Sequence, residues 1–474
     1  MPVPFHKINT SAAGIDFAAI RQELGIADGY PADAVAEAVE LAERQQAAPR
    51  DATDIPFVTL DPVGSKDLDQ AVHLQATGGG FVVRYAIADV AGCLQPGGPI
   101  DLESHRRGQT YYSPDQITPL HPVEMSEGAA SLLPDQTRAA VLWTIMLDSA
   151  GAPTDVQLER ALVRSVAQLD YPGVQADVAA GRLHPSIAVL QQVGELRIRA
   201  GRERHAITLD LPDSEVLRGP DGNWTLELRA VLPCEQWNAE ISLLTGMCAA
   251  TIMINGRYGL LRTLPAPDRR AIQKLRKETA ALGIPWPEGM PPGDVIADLD
   301  GAKPADAAFL QDALMLLRGA GYTPFDGDPP KDHGHAGVGA DYAHVTAPLR
   351  RLADRFSTEI CLAHTAGTAV PDWVRRGLDS VADTMEQTDR TAHDLERQCV
   401  GAVSAFLLAG RVGQHFTGVV VQIDEEKSRA TVALDEPPVQ AHCPDAGLTE
   451  GTRVTVELVS VDDRNYQVRP SVAG

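Results

Sequence analysis

Three aspartates follow one another closely where an apolar stretch of this chain ends, and they restrict the possible folds more than any other feature. Residues 57–60 run into Asp61, and a loop containing Pro and Gly then leads to Asp67 and Asp69. A spacing of two residues places the Asp67 and Asp69 carboxylates on one side of an extended chain. The segment therefore predicts a strand end, a tight loop and a second strand around a polar centre.

Carboxylates that converge in this way repel one another unless cations neutralise them. Oxygen ligands without His or Cys favour the hard ions Mg²⁺ or Mn²⁺. Two such ions, roughly 3.5 to 4 Å apart, could activate a water molecule and stabilise the leaving oxygen of a phosphodiester. For an isolated D-x-D pattern the simpler interpretation is a turn that Asp67 caps, so other motifs must decide between the two.

Length and composition predict a chain of several domains in a reducing compartment. At roughly 150 residues per domain, 474 residues correspond to about three domains. The six cysteines form no C-x-x-C pair and no charged-then-apolar leader opens the chain, so we expect a cytoplasmic protein. The longest apolar runs, such as 139–147, reach about nine residues, whereas a membrane span needs roughly 18. No membrane association is expected.

The net charge of −23 argues against a protein that coats nucleic acid by bulk electrostatics. It does not exclude a nucleic-acid enzyme, because a channel needs only a local basic lining and bound cations. A predicted helix at 268–282 is the main basic stretch, and its simplest interpretation is a solvated face. Its basic residues are Arg269, Arg270, Lys274, Arg276 and Lys277.

Residues 1–50 are predicted to form a small helical domain. Apolar residues three or four apart indicate helices at 16–24 and 32–46. The unit is either a packing collar for the rest of the chain or a helix-turn-helix that touches nucleic acid.

Residues 51–410 are predicted to form a central domain of strands and helices. IPFVTL indicates an edge strand, and the alternating runs AVHL and FVVRYAIADVA, joined by a Gly-rich turn, indicate a hairpin. Farther along, we expect a long loop at 285–305 and a helix at 381–408.

Residues 411–474 carry five short alternating runs separated by turn residues, which is typical of an OB-type barrel. Such barrels often bind single-stranded nucleic acid. From Val412 onward, however, acidic residues outnumber basic ones, which weakens the electrostatic argument for binding.

Four motifs in order resemble those of the RNB family, which contains ribonuclease II and ribonuclease R. FVTLDPVGSKDLDQAVHL is similar to the catalytic aspartate segment, and YAIADVA to the I-A-D-V segment. QTYYSPDQITPLHPVEMSEGAASLLPD and HAGVGADYAHVTAPLRRLADR resemble the two later motifs, one carrying a tyrosine and the other an arginine. Order and spacing agree across residues 54–410, so the carboxylates are identified as part of a metal site rather than a capped turn.

The resemblance implies an α+β multidomain fold: the helical N-terminal unit, a central RNB catalytic domain with a mixed twisted β-sheet and packed helices, and a C-terminal S1-type OB barrel. The implied activity is processive hydrolysis of single-stranded RNA from its 3′ end to 5′-nucleoside monophosphates. Mg²⁺, or alternatively Mn²⁺, is the implied cofactor. We expect a monomer.

The resemblance also assigns roles to individual residues. Asp61, Asp67 and Asp69 fall on metal-binding aspartates, Arg350 on the arginine that grips the terminal phosphates, and Tyr171 on the tyrosine near the scissile phosphate. The RNA-contacting positions are Tyr112, which stacks on a base, Glu240, which contacts ribose hydroxyls, Leu209, in place of a second base-clamping aromatic, and Glu396, at the channel end. Taken singly, each tyrosine could be a core aromatic and Glu240 a helix-surface acid.

Two departures from the family pattern leave alternatives open. Gln70 replaces a fourth metal-binding aspartate, so the chain is either an enzyme with an altered ion requirement or a catalytically impaired RNA-binding member. A small-molecule phosphodiesterase is a weaker third possibility. The short helical N-terminus replaces two cold-shock domains, and a wider entrance would admit duplex RNA with a 3′ overhang.

A zinc site at His333, His335 and His344 lacks a fourth ligand at the usual spacing.

Overall fold

The computed structural model describes residues 14–44, 46–209, 213–218, 224–301, 303–424 and 427–471. Within these residues the chain combines a six-stranded mixed sheet, packed helices and a closed barrel. The predicted α+β multidomain fold is confirmed.

Two short helices precede the sheet, α1 (Phe17–Glu23) and α2 (Ala32–Glu43). Phe17 and Ile20 of α1 pack in the apolar cluster of the C-terminal barrel, whereas the buried face of α2 packs in a cluster beneath the sheet. The two helices thus bury their apolar faces in different parts of the protein, as a packing collar would. The boundary at residue 50 stays a prediction.

The strands that follow lie in four groups. In chain order they are β1 (Arg50–Asp51), β2 (Phe57–Asp61), β3 (Gln70–Thr77), β4 (Gly80–Ala88), β5 (Tyr111–Ser113), β6 (Gln116–Thr118), β7 (Thr137–Asp148), β8 (Pro153–Asp170), β9 (Asp213–Arg218), β10 (Trp224–Arg229), β11 (Tyr258–Thr263) and β12 (Gly321–Asp326). The predicted hairpin is present as β3 and β4.

The central sheet has the order β1-β8-β2-β3-β4-β7, and β8 also pairs with β7. Strand β8 runs antiparallel to β7 along most of its length and parallel to β2 along its last residues. The prediction of an edge strand at IPFVTL was therefore wrong, because β8 covers the side of β2 that β3 leaves open. Residues 57–60 are buried on both faces, as an interior strand requires.

The helices of the central domain cover the sheet and the loops around it. They are α3 (Val90–Cys93), α4 (Pro99–Arg107), α5 (Tyr171–Ala179), α6 (Leu190–Glu203), α7 (Pro233–Gly256), α8 (Arg269–Leu282), α9 (Pro292–Ile296), α10 (Pro304–Ala313), α11 (Leu352–Ala366) and α12 (Asp372–Leu408). The predicted loop at 285–305 contains α9, and the predicted helix at 381–408 begins earlier, at Asp372. Asp268 caps α8, and Gly283 ends it with φ 72°.

Helix α7 is the one helix in the described part of the chain that is long and apolar enough to cross a membrane by length and composition. Trp237, Ile241 and Leu244 lie in the main core, where α7 packs against α6, α11 and β11. Its apolar character is explained by this burial inside the protein.

The C-terminal barrel is closed in the order β13-β14-β15-β17-β16. Its strands are β13 (His415–Asp424), β14 (Arg429–Leu434), β15 (Gln440–Pro444), β16 (Arg453–Val461) and β17 (Tyr466–Pro470). The predicted OB-type barrel is confirmed. Helix α10 packs on β13, where Gln422 Nε2 donates to Asp312 Oδ1 at 2.8 Å.

Candidate active site

Asp61 is the last residue of β2, and the last residue of the neighbouring strand β8 is also an aspartate. Asp61 pairs with Asp170 of β8, and Tyr171 follows as the first residue of α5. The Oδ2 atom of Asp61 is buried and has no hydrogen-bond partner. Burial, together with the nearby Asp67 carboxylate, raises the pKa of Asp61 to about 7. The positive charge of Arg350 opposes this shift without cancelling it.

Asp69 joins this strand end to a segment far away in the sequence. Its Oδ1 atom accepts a hydrogen bond from the Leu349 amide at 2.7 Å, across 280 residues of chain. Its Oδ2 atom lies 3.5 Å from Nε of Arg350. Burial raises the pKa of Asp69 to about 8, although Arg350 opposes the shift. The pKa of Asp67 is also raised by burial. The structure therefore brings Asp69 and Arg350, two of the predicted site residues, together.

The two predicted site tyrosines, Tyr171 and Tyr112, lie on elements next to these residues. The Tyr171 hydroxyl accepts a hydrogen bond from Asn238 Nδ2 at 3.2 Å, and burial raises its pKa to about 12. Tyr112 lies in β5, two residues after Thr110, whose amide donates to the Arg350 carbonyl at 3.0 Å. Burial also raises the pKa of Tyr112 to about 12, so both hydroxyls stay neutral over the physiological pH range.

The Tyr112 ring is half exposed at 50%, and its cross-strand partner Ile117 is exposed at 51%. On the other face of this small hairpin, Tyr111 and Thr118 are buried. The hairpin therefore presents an aromatic and an aliphatic side chain to solvent beside Arg350. A surface of this kind suits the flat face of a base.

Gln70 is engaged at both ends of its side-chain amide. Nε2 donates to the Thr346 carbonyl at 2.6 Å, and Oε1 accepts a hydrogen bond from the Tyr85 hydroxyl. That hydroxyl also lies 2.8 Å from Ser242 Oγ. The predicted role of Gln70 as a metal ligand stays a prediction, and its observed contacts are those of a residue that joins two parts of the framework.

Family models match most of this chain. The model of the RNB domain matches residues 49–363, and the model of the RNase II-type exonuclease C-terminal S1 domain matches residues 414–472. The chain belongs to the RNB family.

Relatives and solved structures agree with this family assignment. Ribonuclease R of Escherichia coli is 27% identical over 409 residues, which cover 81% of this chain and 50% of that protein. Mycoplasma genitalium RNase R in complex with ribose methylated single-stranded RNA has a TM-score of 0.86 at 21% identity, covering 96% of this chain and 78% of that one. The same protein was solved in complex with double-stranded RNA, with a TM-score of 0.83.

The chain spans about half the length of the curated relatives it matches first. Yeast Ssd1, described as a pseudonuclease, has a TM-score of 0.69 at 17% identity, covering 87% of this chain and 53% of that one.

The remaining predicted positions of the RNB site lie on other elements. Glu240 is on α7, where its Oε2 atom is buried without a hydrogen-bond partner, and burial raises its pKa. Leu209 is half-buried and packs against an apolar cluster that includes Ile207 and Leu275. Glu396 lies exposed on α12. The roles of all three in RNA binding stay predictions.

The donor chemistry of the RNB site fits a hard divalent cation. Three acidic side chains lie in or beside a buried region, and Asp61 Oδ2 has no hydrogen-bond partner. Within the described residues, however, no three His, Cys, Asp or Glu side chains are arranged as ligands of one ion. The expected convergence of the three carboxylates around two cations therefore stays a prediction. The same finding applies to the zinc alternative, and His344 Nδ1 instead lies 2.7 Å from the Tyr322 hydroxyl.

Several residues that shape the site escaped prediction although they lie within the residues that the RNB model matches. Asn238 holds the Tyr171 hydroxyl, and Tyr85 holds Gln70. Asp354 accepts hydrogen bonds from the Ala347 amide and from the Arg351 guanidinium. Their polar groups are buried or half-buried beside the site, but spacing along the chain carries no signal for such partners.

Proposed function

We propose that this protein is a 3′-to-5′ hydrolytic exoribonuclease that degrades single-stranded RNA processively to 5′-nucleoside monophosphates. The observation that carries the proposal is the meeting of the buried Asp69 with Arg350, whose Nε lies 3.5 Å from Asp69 Oδ2. A guanidinium beside acidic oxygens is suited to hold a phosphate next to a cation site. The RNA ligands of the structurally similar Mycoplasma genitalium RNase R support RNA as the substrate class.

In this proposal Asp61, Asp67 and Asp69 would hold the divalent cations. Mg²⁺ is the expected ion and Mn²⁺ the alternative. Bound cations of this kind lower the pKa of a coordinated water and stabilise developing charge on phosphate and leaving oxygen, and a two-ion arrangement is part of the proposal.

The other side chains bind and orient the RNA. Arg350 is exposed and can reach a phosphate with its planar fork of donors. Tyr112 offers half of its ring to the terminal bases. Asn238 fixes the Tyr171 hydroxyl, which can then donate its proton to a phosphate oxygen. Such donation requires the neutral hydroxyl, because only the neutral form carries the proton.

We further propose that duplex RNA with a 3′ overhang can be digested. The solved complex of the Mycoplasma genitalium protein with double-stranded RNA supports the idea that this fold can accommodate a duplex. The test compares overhangs of increasing length ahead of one stem. Stalling several nucleotides before the stem at every length would contradict this part of the proposal. The monomeric state and the cytoplasmic location stay predictions.

A catalytically impaired RNA-binding protein is the second candidate. It is favoured by one observation: Gln70 carries no negative charge, and both atoms of its side-chain amide are already hydrogen-bonded within the protein. The pseudonuclease Ssd1 is a structural neighbour with the same fold.

A gel time course on a 5′-labelled single-stranded RNA, with a DNA of the same sequence, distinguishes the two candidates. Wild type in Mg²⁺ or Mn²⁺ should shorten the RNA to a small end product and leave the DNA intact. Asp69→Asn should abolish turnover, whereas Asp155→Asn, an equal change of charge on the exposed part of β8, should not. RNA binding by wild type without turnover in either ion would refute the enzyme and favour the second candidate.

A further inference from the structure

The residues leading to Arg350, which we name the arginine segment (residues 346–350), are irregular in structure yet buried up to the arginine itself. Irregular backbone in a protein interior needs partners for its polar groups. The partners are Gln70 Nε2 for the Thr346 carbonyl, Asp354 for the Ala347 amide, His121 for the Pro348 carbonyl, Asp69 for the Leu349 amide and Thr110 for the Arg350 carbonyl. The position of the exposed guanidinium thus depends on side chains and backbone that surround the segment.

Gln70 is the anchor at the start of the arginine segment. Its donor atom Nε2 lies 2.6 Å from the Thr346 carbonyl, and Thr346 is 4% exposed. The partner requires a donor, which an amide has and an ionised carboxylate lacks. Tyr85 donates to the opposite end of the same amide and holds it in one orientation. An aspartate, the residue of the family motif, could not make the contact with Thr346 while ionised.

Gln70 also begins β3 immediately after Asp69. The two neighbours therefore grip the arginine segment at two places, Asp69 at the Leu349 amide and Gln70 at the Thr346 carbonyl. These two contacts, made from adjacent residues at the start of β3, add to those that Asp354, His121 and Thr110 make with the same segment. Gln70 makes the contact at the end of the segment farthest from Arg350, so its loss would release the Thr346 end.

We propose that Gln70 is a positioning residue that acts through the arginine segment to place Arg350 against RNA phosphate. The inference rests on the proposed function, since it assumes that Arg350 contacts RNA. On this account the Gln70 amide stabilises the position of the phosphate-binding arginine, in addition to replacing a metal-binding aspartate of the family motif. Its substitution should weaken RNA binding even where no divalent metal is present.

The test is a double-mutant cycle on RNA affinity, measured by fluorescence anisotropy in EDTA with a single-stranded RNA. Gln70→Glu removes the donor, and Gln70→Leu removes donor and acceptor. Each should weaken binding about tenfold, the usual scale for a lost buried hydrogen bond. In an Arg350→Ala background the same substitutions should have almost no further effect, because residues that act through one another are not additive.

Gln75→Leu is the matched control, since Gln75 lies on the same strand but is exposed. It should bind RNA as wild type does. Thermal unfolding of each variant shows whether it folds, and Gln70→Glu provides a conservative second variant if Gln70→Leu does not. Calorimetric titration of Mg²⁺ into the RNA-free protein adds a measurement that does not depend on turnover.

The outcomes separate this inference from the function on which it rests. If Gln70→Glu leaves RNA affinity in EDTA unchanged while Arg350→Ala lowers it, the positioning role is refuted and the function stands. An increase of Mg²⁺ affinity in Gln70→Glu without loss of metal-free RNA binding would likewise refute it, and would identify the position as a metal ligand. If Arg350→Ala itself binds RNA normally, the proposed contact between arginine and phosphate fails as well.

Discussion

Asp312 is a buried acid at the contact between the central domain and the barrel, and replacing it with Asn should stabilise the protein. Its side chain is 2% exposed; Oδ1 accepts a hydrogen bond from Gln422, whereas Oδ2 has no hydrogen-bond partner. Burial raises its pKa to about 7, and the carboxylates of Glu278 and Glu450 add to the shift more than Lys274 opposes it.

The size and sign of the effect follow from this shift. The pKa rises from 3.8 to about 7 on folding, and each unit corresponds to about 1.4 kcal/mol. The folded state therefore binds the proton more tightly, so the free energy of unfolding falls as the pH rises from about 4 to about 7 and is level above that range. At pH 8 ionised Asp312 costs at most about 4 kcal/mol.

Asp312→Asn removes this cost and keeps the acceptor for Gln422. The new Nδ2 group also offers a donor where the neighbouring charges, Glu278 and Glu450, are negative. The stability advantage of the variant over wild type should widen by about 2 to 3 kcal/mol between about pH 5 and about pH 8.

Chemical denaturation at the two pH values, followed by fluorescence and by proteolytic release of the barrel, measures the difference. Asp298→Asn is the matched control, because it removes the same charge from an exposed position in the same region. It should change stability by less than about 0.5 kcal/mol. A variant at position 312 that is no more stable than wild type at pH 8, or whose advantage does not change with pH, would refute the reasoning.

Three further outcomes are expected. Tyr112→Ala should weaken RNA binding by about 1 to 3 kcal/mol for each stacked base, measured by anisotropy, while Tyr112→Phe keeps the ring and the affinity; equal affinity of all three proteins would exclude stacking. Gly194→Ala should lower the free energy of unfolding by about 1 to 3 kcal/mol, because an added Cβ would lie 2.4 Å from the Trp237 Cβ atom on the facing helix; an unchanged melting temperature would show that α6 and α7 can separate without cost. Mg²⁺ at 100 times its Kd should stabilise wild type by about 2.7 kcal/mol and Asp69→Asn much less, reversibly with EDTA in a thermal-shift assay; equal shifts would place the ion elsewhere.

The sequence by itself determined the elements whose signals are local. Period-two alternation with turn residues identified the five barrel strands, and a Gly-rich turn between alternating runs identified the β3–β4 hairpin. Asp268 and Gly283 marked the ends of α8 within one residue. The order of the motifs from residue 54 to residue 410 was sufficient to indicate the family. Motifs can be compared along the sequence without knowing which elements contact one another.

Only the tertiary structure decided which element buries each face and which partner each polar group finds. Strand β2 lies in the interior because β8 returns to it parallel, and nothing within IPFVTL reports the arrival of a strand from so far along the chain. The contact between Asp69 and Leu349 spans 280 residues. The periodicity of the sequence indicates which side chains are buried, whereas the packing of distant segments decides their hydrogen-bond partners. For this reason the sequence identified Gln70 as a departure from the family pattern. Its contact with the arginine segment could be found only in the tertiary structure.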